Sequence, residues 1–150
     1  MSLEEITLRP IGYVLNEVDE ITPMRDGWAE ITSEIHLDPA LAPGLDGLED
    51  FSHVLVVFWM HGVEESGRGV RGRVVGADGP PAGTFALRTP RRPNPVGVTT
   101  VRLLGRRDHV LRVLGLDAVS GSSVLDIKPY SERHDVAEDP TLPEWTRGLW

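Results

Sequence analysis

The sequence contains no cysteine. This absence excludes a disulfide framework, a thiolate metal site and a cysteine nucleophile, and it favours a reducing compartment. No apolar run approaches the roughly 20 residues that span a bilayer, and the N-terminus lacks the apolar segment of a signal peptide. At 150 residues we therefore expect one soluble, cytoplasmic domain without a membrane partner.

Several common catalytic signatures are also missing. There is no G-x-G-x-x-G motif directly after a strand, no Walker A loop and no G-x-S-x-G elbow. The five histidines show no H-E-x-x-H or similar spacing, so we expect no metal centre. Apolar periodicity long enough for a sizeable helix is absent as well.

The basic residues are unevenly distributed in a chain whose formal net charge is -8. From Ser66 to Arg107, nine arginines stand against one acid, Asp78. Arginine recognises phosphate and carboxylate through paired donors better than lysine does. A basic stretch on an acidic body therefore indicates a polyanionic partner, with a solvated arginine-rich loop as the alternative.

The stretch "RTPRRPNPVG", residues 88–97, combines three arginines with three prolines. Proline removes a backbone donor and fixes φ, and the residue before each proline is pushed towards extended geometry. The pattern predicts a stiff, cationic loop that binds an anionic group.

Short strand patterns recur along the chain. We predict strands over residues 6–16, 28–37, 53–60 and 84–87, then a three-stranded meander over 96–105, 108–119 and 122–130. The continuous apolar run "HVLVVFWM" predicts a strand buried on both faces, and the Gly-rich stretch 61–83 predicts a long, mobile loop. Together the patterns predict an all-β domain, a small barrel or rolled sheet of six or seven strands, followed by an irregular acidic tail over 131–150.

Four stretches together resemble the TsaA-like, or TrmO, family: "PIGYV", "GLEDFSH", "RTPRRPNPVGVTTVRLLG" and "LDAVSGSSVLDIKPY". The resemblance runs from about Arg9 to Tyr130. Members of this family are S-adenosylmethionine-dependent methyltransferases, and their best-known activity methylates N6 of threonylcarbamoyladenosine at position 37 of tRNA. The resemblance implies a small single-sheet β-barrel that works as a homodimer, with S-adenosylmethionine as cofactor and no metal.

The resemblance also implies where the cofactor binds. The contacts fall on a loop before the second strand, at the end of the buried strand, on the proline-rich loop and strand start, and on the "LGLD" turn. The implied residues are Pro23, Met24, Arg25, Asp26, His61, Gly62, Arg88, Val98, Leu114, Gly115, Leu116 and Asp117. The stretch "MRDGW" departs from the arginine–glutamine–proline pattern that the family usually shows there. Arg88 would take the cofactor's carboxylate through a bidentate pair, and Asp117 would hold its ribose or amino group.

Methyl transfer to an exocyclic amine needs orientation and a nearby proton acceptor. Asp126 is the candidate acceptor, while Lys128 and Tyr130 would orient the base or the threonylcarbamoyl carboxylate. The predicted substrate contacts are Arg91, Arg92 and Asn94, which would form a phosphate-binding face together with Arg68, Arg71, Arg73, Arg106 and Arg107.

Three functions stay open at this point. The first is a tRNA N6-adenosine methyltransferase, which the arginines favour. The second is the same cofactor chemistry on a small-molecule amine or thiol, which the acid excess and the short chain after Tyr130 favour. The third is a non-catalytic S-adenosylmethionine-binding domain. Because one subunit would leave the site incomplete, we expect a homodimer.

Overall fold

The strands are short and antiparallel. The structure is a computed structural model that describes residues 2–20, 27–72 and 80–147. Its strands are β1 (Gly12–Leu15), β2 (Thr32–Leu37), β3 (His53–Trp59), β4 (Arg71–Gly72), β5 (Ala82–Gly83), β6 (Val96–Arg107), β7 (Val110–Leu114) and β8 (Ser123–Pro129). One four-residue α-helix, α1 (Glu132–Asp135), lies in the described part of the tail. Short 3-10 turns occupy Trp28–Glu30, Pro39–Leu45, Leu48–Asp50, Glu65–Gly67, Thr84–Ala86 and Glu144–Thr146.

Six of the strands close into a barrel. The order around it is β1-β2-β7-β6-β3-β8, and every pairing is antiparallel. The strands β4 and β5 form a separate two-stranded ribbon. The prediction of an all-β domain with a small barrel is therefore confirmed. Among the helices of residues 2–20, 27–72 and 80–147, none has the length and apolar character needed to cross a membrane.

The barrel interior is filled by alternate residues of each strand. On β3, Val54, Val56 and Phe58 are buried, whereas the alternate residues Leu55 and Val57 are half-buried on the outside. The apolar run was expected to be buried on both faces, and that expectation is wrong. A single sheet rolled into a barrel has one dry face, so the outward residues of a central strand stay in partial contact with solvent.

Several boundaries differ from the sequence prediction: the strand predicted over 6–16 is limited to Gly12–Leu15, and the one predicted over 28–37 begins at Thr32 after a 3-10 turn. Two further differences have clear physical reasons. Residues 84–87 are predicted as a strand, but Thr84–Ala86 form a 3-10 turn, and both Thr84 and the following Leu87 are buried. The Thr84 hydroxyl donates to the Arg91 carbonyl at 2.9 Å, and this contact folds the segment back onto the proline-rich loop. The second strand of the meander ends at Leu114 and does not reach 119, because Gly115 has a φ of +91° that turns the chain out of the sheet.

The early end of β7 opens one end of the barrel. The β7 strand pairs with β6 along residues 102–107 only, whereas residues 96–101 of β6 pair with β3 alone. The chain after β7 therefore crosses beside an unpaired stretch of β6. At the opposite end Arg106 donates to the carbonyls of Ala42 and Asp108, and this clamp holds the Pro39–Leu45 turn against the barrel.

Candidate cofactor and substrate site

A pocket lies in the opening between β6 and the segment that follows β7. Its volume is about 140 Å³. The described lining residues are Trp28, Phe58, Met60, Gly62, Arg88, Pro90, Asp117, Ala118, Val119 and Ser122. The pocket therefore brings together three residues that the resemblance implied, Gly62, Arg88 and Asp117, although they are far apart in the sequence.

Asp117 is held across the opening. The hydroxyl of Thr99 on β6 donates a short hydrogen bond to Oδ1 of Asp117. Asp117 is exposed and lines the pocket. A carboxylate anchored through one oxygen keeps the other available to accept hydrogen bonds from hydroxyl or ammonium groups.

Arg88 also lines the pocket and bonds to β6 one residue away from the contact of Asp117. Its Nη2 donates to the Val98 carbonyl at 3.3 Å, and the side chain is exposed. No carboxylate among the described residues lies within ion-pair distance of it. Val98 thus takes part through its main chain, and Arg88 keeps donors for an anionic ligand.

The pocket also contains a buried hydroxyl that no local sequence pattern indicates. Ser122 is 1% exposed and lines the pocket, and its Oγ lies 3.4 Å from Nδ1 of His61. Gly121, with a φ of +83°, makes the turn that aims Ser122 inwards. The "SGSS" turn was visible in the sequence, but the direction of its side chains was not. His61, one of the predicted cofactor residues, therefore contacts a residue of the pocket lining, Ser122.

Asn16 supports the pocket wall from behind. Its Nδ2 donates to Oγ of the buried Ser33 at 3.0 Å and to the carbonyl of Ala118 at 2.8 Å, while its Oδ1 accepts from the Val18 amide at 2.9 Å. These bonds tie the ends of β1 and β2 to the segment after β7. Asn16 was also missed, because a polar residue at a strand end carries no sequence signal of its own.

The structure places the other implied cofactor residues in different surroundings. Leu116 is fully buried in the core, and Leu114 and Gly115 form the strand end and turn that place Asp117. The four residues of the predicted first loop, Pro23 to Asp26, lie outside the described residues. Trp28, which follows them, lines the pocket.

The three residues predicted to be catalytic lie on the outer face of the barrel and not in this pocket. Asp126 and Lys128 project outwards from β8 and form an ion pair at 2.7 Å. A lysine ammonium is charged at neutral pH in any case, and this hydrogen bond together with the charge of Asp126 raises the pKa of Lys128 further. The ring of Tyr130 packs edge-on against His53 at 6.2 Å.

The register connects this outer face with the pocket rim. Asp126 lies opposite Val57 on β3, and Val57 lies opposite Val98 on β6. Two strand spacings correspond to about 10 Å between the backbones of Asp126 and Val98. A substrate that binds beside Arg88 on this face would therefore reach towards Asp126.

The arginines expected to form one phosphate-binding face are dispersed. Nη1 of Arg92 donates to the carbonyls of Thr84, Leu87 and Thr89, at 3.1, 2.7 and 3.4 Å, and holds the proline-rich loop in shape. Arg106 belongs to the clamp at the far end of the barrel.

The other members of that set lie elsewhere. The Arg68 guanidinium lies 5.4 Å from the ring centre of Trp59. Arg71 belongs to β4 of the ribbon, whereas Arg107 ends β6, and Arg73 is outside the described residues. Arg91 and Asn94 are exposed on the proline-rich loop. Within the described ranges, no three His, Asp or Glu side chains are grouped so that they could hold a metal ion.

The fold and pocket define a class of protein: a small antiparallel barrel with a pocket lined by a guanidinium, a carboxylate and a buried hydroxyl. Residues 17–136 match the family model for the tRNA-methyltransferase O N-terminal domain. The chain therefore belongs to the tRNA-methyltransferase O family.

Curated relatives share much of the sequence. A probable S-adenosyl-L-methionine-binding protein of Methanothermobacter thermautotrophicus is 42% identical over 137 residues, which cover 90% of this chain and 97% of the relative. The human tRNA (adenine(37)-N6)-methyltransferase is 33% identical over 99 residues, which cover 66% of this chain and 22% of that protein.

A solved structure shares the fold. The crystal structure of TrmO from Pseudomonas aeruginosa aligns with a TM-score of 0.76 at 30% identity and covers 95% of this chain. The alignment covers 62% of that TrmO chain, so the present chain spans about three fifths of its length.

Proposed function

We propose that the protein is an S-adenosylmethionine-dependent methyltransferase that methylates N6 of threonylcarbamoyladenosine at position 37 of tRNA. The observation that carries this proposal is the pocket in which Arg88, Asp117 and Ser122 converge. The family and the names of the relatives support the same cofactor and the same position in tRNA.

The pocket residues fit S-adenosylmethionine by their chemistry. Arg88 would bind the carboxylate of the methionine part, and Asp117 would accept from its ammonium group or from the ribose hydroxyls. The half-buried Met60 offers apolar surface for the adenine ring. The buried hydroxyl of Ser122 would donate to a ring nitrogen or a hydroxyl of the cofactor. It is free to do so because Nδ1 of His61 can either donate to this hydroxyl or accept from it.

The bound cofactor would supply an electrophilic methyl group on a sulfonium: the N6 nitrogen bonds to the methyl carbon in line as the carbon–sulfur bond breaks, and the sulfur leaves as a neutral thioether. This chain's residues orient the two partners and take the proton that leaves N6. Asp126 is the acceptor in this proposal, because it is a half-exposed carboxylate on the face next to Arg88. Lys128 is a cation at neutral pH, and Asp126 raises its pKa further, so it would bind the threonylcarbamoyl carboxylate and would not act as a base. Tyr130, two residues after Lys128, would position the base.

The size of the pocket supports a homodimer. Pockets that enclose a small organic ligand usually have volumes of about 300–1,000 Å³, whereas the pocket of one chain has about 140 Å³. The adjoining outer face carries exposed Val98, at 46%, beside half-buried Leu55 and Val57. A second copy covering this face would bury these side chains and enclose the cofactor and Asp126 in one site.

The first test is calorimetry with S-adenosylmethionine, followed by an assay on tRNA that carries threonylcarbamoyladenosine without the methyl group. The wild type should bind the cofactor and transfer the methyl group. Asp126→Asn should bind the cofactor equally well and lose turnover. Full turnover by Asp126→Asn would exclude it as the acceptor.

The same assay separates the rival functions. Cofactor binding without methylation of tRNA, but with transfer to a metabolite in cell extract, would assign the protein to small-molecule methylation. Cofactor binding without methyl transfer to any substrate would identify the protein as a non-catalytic binding domain. Chromatography of tRNA nucleosides from cells that lack the protein checks the substrate independently. Light scattering measures the mass, and a fully active single subunit would refute the shared site.

A further inference from the structure

The outer face of the barrel across β1, β2, β7 and β6 carries a stacked aromatic pair. Tyr13 and His36 lie directly opposite each other on β1 and β2. Their rings stack with centres 5.4 Å apart and planes 13° apart. Both project outwards because their neighbours Val14 and Ile35 point into the core, and Tyr13 is 47% exposed. One surface of a planar ring system is thus available to a ligand.

Three arginines share this outer face. Arg112 on β7 and Arg102 and Arg107 on β6 point outwards because the intervening Leu111 and Val101 are buried in the core. All three arginines are exposed, and none has a carboxylate within ion-pair distance in the described part of the chain.

The acid nearest in register is already engaged. Glu34 lies opposite Arg112, but its carboxylate pairs with Nε2 of His36 at 2.8 Å. The guanidinium groups therefore keep their donors for another anion, and this face is locally basic on a chain whose net charge is -8.

Grooves lie on both sides of the aromatic pair. One groove of about 390 Å³ is lined by Gly105, Arg107 and Arg112, with Glu34 also in its wall. Gly105 sits at a bulge in β6, and a Cβ there would meet no atom within 4 Å, so the missing side chain leaves the groove open. The other groove, of about 560 Å³, is lined by Tyr13, His36 and the turn that follows β2.

We propose that this face binds an unpaired segment of RNA, and we name it the aromatic–arginine face (Tyr13, His36, Arg102, Arg107 and Arg112). Exposed planar rings stack with bases whose faces are free, and guanidinium groups bind the phosphates between them. Base-paired RNA hides the faces of its bases, so the combination favours single strands. The acidic remainder of the surface repels phosphate and directs the RNA to this face. The inference adds a contact outside the pocket, and it draws on the proposed function only in expecting RNA as the partner.

The test measures fluorescence anisotropy of a short, labelled, unstructured RNA without modified nucleosides, at several salt concentrations. Tyr13→Leu should weaken binding roughly 5- to 100-fold by removing one stacked base, whereas Tyr13→Phe should bind like the wild type. Arg112→Ala should lower the slope of log affinity against log salt by about one. Gly105→Leu should fill the groove and weaken binding without a change in charge.

Matched controls separate this face from general effects. Arg133→Ala removes the same charge from exposed α1 and should leave affinity within about twofold, a difference within the range of an uninvolved surface residue. Thermal unfolding of each variant checks the fold. Wild-type RNA affinity in both Tyr13→Leu and Arg112→Ala would overturn the proposal, and so would equal affinity for duplex and single-stranded RNA. A changed oligomeric mass in Tyr13→Leu with RNA affinity retained would assign the face to a second copy and overturn it too.

The outcome can be told apart from a failure of the proposed function. These variants should bind S-adenosylmethionine like the wild type, because the aromatic–arginine face shares no residue with the pocket. If the wild type fails to bind the cofactor and the variants still lose RNA, the aromatic–arginine face stands and the methyltransferase proposal falls.

Discussion

Replacing Gly97 by alanine tests the packing beneath the pocket. Gly97 on β6 lies directly opposite Phe58 on β3, and an alanine Cβ would stand 2.7 Å from Cε1 of the Phe58 ring. Carbon atoms in ordinary contact are about 3.5–4.0 Å apart. Phe58 is 1% exposed and belongs to the core, so its ring cannot move aside without displacing neighbours.

The expected cost follows from this overlap. Forcing an extra methyl group into a well-packed core costs about 1–3 kcal/mol. For a chain of this size, 1 kcal/mol corresponds to about 2–4 °C in Tm, so Gly97→Ala should lower Tm by roughly 2–12 °C. Because Phe58 also lines the pocket, the affinity for S-adenosylmethionine should fall as well.

Thermal unfolding by circular dichroism and calorimetry with the cofactor measure both effects. Gly44→Ala is the matched control, because a Cβ at Gly44 meets nothing within 4 Å and its Tm should change by no more than about 2 °C. The double variant Gly97→Ala/Phe58→Leu should recover part of the loss by removing the ring. A wild-type Tm for Gly97→Ala would show that β6 and β3 do not pack in this register.

Three further predictions concern charged groups. Arg88→Ala should weaken S-adenosylmethionine binding roughly 10- to 100-fold in calorimetry, with partial recovery in Arg88→Lys, because one ammonium cannot replace a bidentate fork; unchanged affinity would remove Arg88 from the site. The Lys128 side chain should titrate above 10.5 by NMR, and Asp126→Asn should return it towards that value. Because the folded pKa is raised, the stabilising contribution is complete below 10.5 and is lost as pH rises through the folded pKa; a titration unaffected by Asp126→Asn would contradict the ion pair. Arg106→Ala should reduce the free energy of unfolding by about 2–4 kcal/mol in urea titration, since it abolishes charged hydrogen bonds to two carbonyls and to Asp46. It should leave cofactor affinity unchanged, and a loss of less than about 0.5 kcal/mol would show that the clamp is not formed.

Much of the barrel could be predicted from local sequence patterns. The alternation of Ile35 and Leu37 with polar neighbours specifies which side of β2 faces the core, and the apolar run at 53–60 marks the central strand. Such signals are readable because they depend on the residue's own neighbours along the chain. The proline-rich loop was likewise recognisable as irregular and cationic, and Arg88 within it lines the pocket.

Other parts of the site depended on distant contacts and could not be predicted. Nothing local distinguishes Arg92, which binds three carbonyls of its own loop, from Arg88, which is exposed at the pocket. The sequence does not distinguish Ser122 from the neighbouring serines, because its position beside His61 depends on the turn at Gly121. The stacking of Tyr13 on His36 also required the register of two strands, because the two residues meet only through cross-strand pairing.

By itself, the sequence determined the all-β class, the turns at glycine and proline, and the chemical groups available for binding an anion. Backbone preferences and the period of apolar residues act over a few residues, so they can be read without a structure. Only the tertiary structure decided that β7 ends early and opens a pocket beside β6, that Asp117 crosses it to Thr99, and that Asp126 lies on the adjoining outer face. The physical reason is that these positions follow from strand register and barrel closure, which sum many weak contacts between residues far apart in the chain.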